Sequence, residues 1–60
     1  MYALHYKTES ENIRILFAVL NDAFCAARAL DELKAHGVVS NVFVSNADDE
    51  NSMYLVPAEN

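Results

Sequence analysis

From Ile13 to Leu20 the chain reads Ile-Arg-Ile-Leu-Phe-Ala-Val-Leu, apolar at seven of eight positions. Whatever this run becomes must find cover on both sides. Extended, it alternates between two faces. Ile13, Ile15, Phe17 and Val19 form one row; Leu16, Ala18 and Leu20 form the other, with only Arg14 polar. Its β-branched and aromatic content favours a strand. One helix covers one face of a small sheet, and an antiparallel sheet with its second face in water shows polar residues there. This strand does not.

The flanking sequence supplies the rest of a sheet. Tyr2, Leu4 and Tyr6 alternate with Ala3, His5 and Lys7, and Glu9-Ser10-Glu11-Asn12 is a polar break of hairpin length. Asn21-Asp22 carries a helix N-cap signal, and the spacing predicts a helix from Asp22 to His36. Ala23, Ala26, Ala27, Leu30 and Leu33 make its apolar stripe, and the alanines permit close approach to a sheet. Arg28 and Glu32, or Glu32 and His36, have the spacing of surface pairs. Gly37 stands where a left-handed residue ends a helix. Val38–Ser45 reads as a third strand, Asn46–Asn51 as a loop, and Ser52–Val56 as a short fourth strand stopped by Pro57. The expectation is one α+β domain over residues 1–60, ordered ββαββ, with one helix packed on a small antiparallel sheet.

A second reading winds residues 10–36 into one long helix, giving βαββ. Thr8 and Glu11 then form a capping box, and Arg14, Asn21, Asp22, Arg28, Glu32 and His36 share one side. Its cost is length. A helix of some two dozen residues is about 36 Å long, against at most about 24 Å for the strands it must cover.

Sixty residues bury a thin core, so oligomerisation or a partner is an expected source of further burial. Cys25 is alone, which excludes an intrachain disulfide. The net charge of −5 provides no positive stripe for phosphate backbones and favours solubility, so direct nucleic-acid binding is not expected. No apolar run reaches membrane-spanning length and the start lacks a signal-peptide pattern, so the expectation is a complete cytoplasmic protein without membrane contact.

Chemistry finds little to use. Cys25 and His36 are eleven residues apart, about 16 Å along a helix, too far for a thiolate and its base. Cys25, His5 and His36 lack metal-ligand spacing, and Asp48-Asp49-Glu50 lacks the alternating ligands of a calcium loop. The one glycine sits at a helix end, leaving no phosphate-cradling loop. Tyr2, Tyr6 and Tyr54 read as core or interface residues. No enzyme, cofactor or metal is expected.

The doubly apolar strand points outward instead. Arg14, Leu16, Leu20, Phe24, Phe43 and Tyr54 (or Leu55 in its place) are the candidate interface positions, a second apolar surface of the kind that marks an interaction site. The partner is another protein, with a homodimer as the simplest case.

Several segments resemble small accessory proteins of bacterial viruses: Ile13–Phe17, Asn21-Asp22, Ala26–Gly37 and Val42-Phe43-Val44. The phage-encoded inhibitors of host RNA polymerase share this hairpin-helix-strand plan and size, and acidic anti-CRISPR inhibitors fit as well. The resemblance is one of pattern and implies a non-enzymatic modulator or inhibitor that docks on a bacterial host protein. No functional residue carries over individually. The alternative is a structural homo-oligomeric domain with no separate target.

Overall fold

The computed structural model describes residues 1–57. The opening alternation forms β1 (Tyr2–Lys7), and the apolar run forms β2 (Asn12–Phe17), paired antiparallel with Tyr2 opposite Phe17 and Lys7 opposite Asn12. The long helix through residues 10–36 is thereby excluded. Thr8 and Glu11 meet, but not as a capping box. The Thr8 N–H donates to the Glu11 carbonyl at 2.8 Å, and the Glu11 N–H donates to Thr8 Oγ1 at 3.2 Å. These bonds close the hairpin.

Helix α1 spans Leu20–Ala35, starting earlier than Asn21-Asp22 suggests. Val19 is its N-cap and provides no side-chain cap, while Asp22 lies in the first turn, where a carboxylate complements the helix dipole. The early start extends the expected stripe toward the N-terminus. Leu20, Ala23, Phe24, Ala27 and Leu30 recur at i, i+3, i+4, i+7 and i+10 and pack on the core with Ala26. Leu33 drops out and is exposed.

The helix ends as Gly37 predicts. His36 is the C-cap, Gly37 has φ +76°, its N–H donates to Lys34 O, and Val38 N–H donates to Leu33 O at 2.9 Å. That pair of bonds is a Schellman motif. The chain then enters β3 (Ser40–Asn46), turns on Ala47-Asp48 and returns as β4 (Asp49–Tyr54). The expected loop over Asn46–Asn51 shrinks because Asn46 Oδ1 accepts the Asp48 N–H at 2.8 Å, an Asx turn.

The sheet order is β2-β1-β3-β4 and the element order is ββαββ, an α+β fold. Since β1 is antiparallel to both neighbours, β2 and β3 run parallel with β1 between them. Helix α1 is the crossover linking them and lies chiefly over β3 and β1, less over β2. Leu4, Ala23, Ala27 and Val44 form the buried centre.

Two irregularities shape β3 and β4. Lys7 faces Ser40 while His5 faces Phe43, so two steps on β1 match three on β3. The extra residue brings Asn41 to φ 54°, the left-handed conformation a bulge of this type requires, and asparagine tolerates it. On the far side, one step from Ser45 to Asn46 is matched by four from Met53 to Asp49. The three extra residues, 50 to 52, are held by Asp49, which accepts from Asn51 N–H and Ser52 Oγ.

Equilibrium urea unfolding tests both left-handed positions. An alanine Cβ at Gly37 meets no atom within 4 Å. Any loss in Gly37→Ala is therefore backbone strain, expected at about 1 kcal/mol. Asn41→Gly is expected to be near neutral, whereas Asn41→Val should cost about 1–3 kcal/mol. Equal stability of the two Asn41 variants would contradict the bulge.

Candidate functional site

The pairing register sorts the paired strand residues onto two faces. Directly opposed residues share a side, so Tyr2, Leu4, Tyr6, Ile13, Ile15, Phe17, Val44 and Tyr54 look toward the helix. Ala3, His5, Arg14, Leu16, Phe43, Ser45 and Met53 occupy the open face.

The six expected interface residues therefore separate into two groups. Arg14, Leu16 and Phe43 share the open face. Leu20, Phe24 and Tyr54 do not, and the shared surface must be corrected for them. Leu20 belongs to the helix rather than a strand, and both Leu20 and Phe24 pack on the core. Tyr54 stands opposite Val44 and meets Tyr2 edge-on, with ring centroids 5.6 Å apart. Met53 takes the open-face place expected for Tyr54, and Leu55 beyond the strand is exposed.

The open face is not a continuous greasy plane. One row across it reads Leu16, Ala3, Ser45, Met53. Its two middle residues are completely buried although no helix lies on this side. The cover is local. Arg14 starts from the neighbouring row on β2, and its Nη2 donates to the Ala47 carbonyl beyond β3 at 2.9 Å. The path from β2 to that turn runs diagonally across the row of Ala3 and Ser45. Its Nε also lies 3.6 Å from Glu50 Oε1, an exposed ion pair that contributes little by itself. From the other side His5 Nε2 meets Ser45 Oγ at 2.9 Å, and the His5 ring stacks on Phe43 with centroids 4.4 Å apart. A cleft of about 350 Å³ opens beside this stack, bordered by Lys7, Asn12, Arg14 and Asn41.

The chemistry-bearing residues are dispersed. Ser45 is sealed from solvent, so the His5–Ser45 contact presents no nucleophile to a substrate. Cys25 is exposed, and its sulfur accepts from Arg28 Nη2 at 3.4 Å and from Asn21 Nδ2 at 3.9 Å. Arg28 thus turns to Cys25, although its spacing also fits Glu32. Among the described residues no three His, Cys, Asp or Glu side chains are placed to hold a metal ion, and no helix is long and apolar enough to cross a membrane.

Exposed apolar side chains gather on and just past the outer strand β2, although Leu55, Met1 and Met53 are individually more exposed. β2 is an edge of the sheet, and of the three strands that the helix touches it is the one touched least. On its helix side Ile15 is 40% exposed; on its open side Leu16 is 48% exposed; Val19, just past the strand, is 53% exposed. The sequence reveals the doubly apolar strand but not its position at the edge. Alternation points to Leu16 and passes over Ile15 and Val19, which it assigns to the helix-covered row. Comparison with protein-family models, curated proteins and solved structures found no match.

Arg14→Ala tests the open-face arrangement. It should destabilise the fold by about 1 kcal/mol and shift the amide resonances of residues 46–51, whereas Arg14→Met, retaining the stem, should recover part of the stability. Unchanged resonances around Ala47 in Arg14→Ala would mean that the guanidinium does not hold that turn.

Proposed function

We propose that this chain is a non-enzymatic protein-binding module whose docking element is the exposed edge of β2. The observation that carries the reading is the coincidence of three openings on one strand. Its outer side lies at the sheet edge, its helix side is half-covered, and its open side carries Leu16. A six-residue strand paired without register shift offers a regular outer row of backbone groups, and such an edge accepts another strand. The flanking isoleucine and leucine add burial, up to about 1.5–3 kcal/mol for a fully covered side chain.

Catalysis has no part in this reading, which is supported by the sealed Ser45 and the dispersal of His5, Cys25 and His36. The acidic surface favours a protein partner over nucleic acid. A cytoplasmic modulator of a bacterial host protein, of the phage type that the sequence pattern resembles, would use this edge to reach its target.

The test compares wild type with Ile15→Lys, which places a charge on the strand at a position already partly in water. Each protein, checked for folding by circular dichroism, is immobilised and exposed to bacterial lysate. The wild type should retain a stoichiometric polypeptide, either another protein or free copies of the chain, and the variant should lose it. Equal retention by two folded proteins would overturn the docking role of β2.

A further inference from the structure

Granting that β2 docks polypeptide, we infer that its occupant is β2 of a second copy, paired antiparallel about a two-fold axis at Ile15 to make one eight-stranded sheet. In that arrangement the strand is complementary to itself. Such an axis opposes Ile13 with the second copy's Phe17, Ile15 with its own counterpart, and Arg14 with the second copy's Leu16. Parity is preserved. Isoleucine and phenylalanine meet on the helix side and Arg14 meets leucine on the open side, so both helices lie on the same face of the joined sheet. Aromatic and β-branched residues in direct opposition are favourable sheet pairs.

Neighbouring registers fit less well. Centring on Arg14 sets polar Asn12 opposite Leu16 and leaves Phe17 opposite Glu11, outside the strand. Centring on Leu16 moves Arg14 opposite Ala18, outside the strand, and reduces the number of paired residues. Charge permits the approach as well. Although the chain carries −5 overall, none of its nine acids lies within Asn12–Phe17. The helix-side strip of β2 that α1 leaves uncovered is buried by the same contact.

Sedimentation equilibrium of the full chain tests the assembly, and position 16 tests its register. Wild type should sediment at twice the 6.7 kDa chain mass. In this register Leu16 lies opposite Arg14 of the other copy, so two cysteines at position 16 stand diagonally apart, and Leu16→Cys in a Cys25→Ser background should not crosslink on oxidation. In a Cys25→Ser background, Ile15→Cys should form a disulfide-linked dimer on oxidation, because opposed strand residues fall within bridging distance.

A monomer at all soluble concentrations overturns the inference, as does a dimer that Leu16→Cys crosslinks as readily as Ile15→Cys. If the monomer still retains a different protein that Ile15→Lys loses, only self-pairing fails. If retention is insensitive to Ile15→Lys as well, the docking role of β2 fails with it.

Discussion

A single helix of sixteen residues covers a sheet of four strands, and its placement decides which surfaces are sheltered and which stay open. It must bridge β2 to β3 across the intervening β1, so it settles over β1 and β3. Alanines make the contact close. Ala23 and Ala27 are buried against Leu4 and Val44, and the larger Leu20, Phe24 and Leu30 pack around that centre. A helix seated so close over the middle strands cannot also shelter an edge. The exposure of Ile15 is the consequence of this fit rather than a separate feature.

The opposite face is closed by a different device. With no second layer available, the two middle strands carry small residues, Ala3 and Ser45, along one row. Arg14 crosses over them to the turn beyond β3, and His5 with Phe43 closes the adjacent side. A long cationic side chain can bury its stem and leave its head in water, which is what a water-facing sheet needs. The result is a fold 17 Å thick by 30 and 29 Å across, two layers with a partial polar third.

Local signals were legible where they rest on backbone chemistry. Gly37 ends the helix, the alternation of residues 2–7 makes a strand, and β-branched residues carry the second strand against the helical alternative. Boundaries were less legible because tertiary packing outweighs capping preference. Leu20 joins the helix to reach the core, even though Asn21-Asp22 offers a better cap and Val19 provides none. The earlier start puts Leu20 on the helix, on the other side of the sheet from Leu16, while Phe24, helical in either case, packs on the core. Strand order was not legible at all. A strand apolar on both faces resembles a central one, and only the crossover of the helix past β1 puts β2 outside.

The two edges of the sheet differ in a way that bears on assembly. β4 is broken by three extra residues, and its first residues, Asp49 and Glu50, bring charge to that border. Bulges and charge are the usual means of blunting an edge. β2 has an unbroken ladder and a single charge, and that charge is turned inward to Ala47. If β2 of one copy could join β4 of the next, the contact would be head-to-tail and would propagate into a fibre. The bulged, acidic β4 opposes that route. In the proposed pairing of β2 against β2, both remaining borders are the blunted β4 edges, so growth would stop at two.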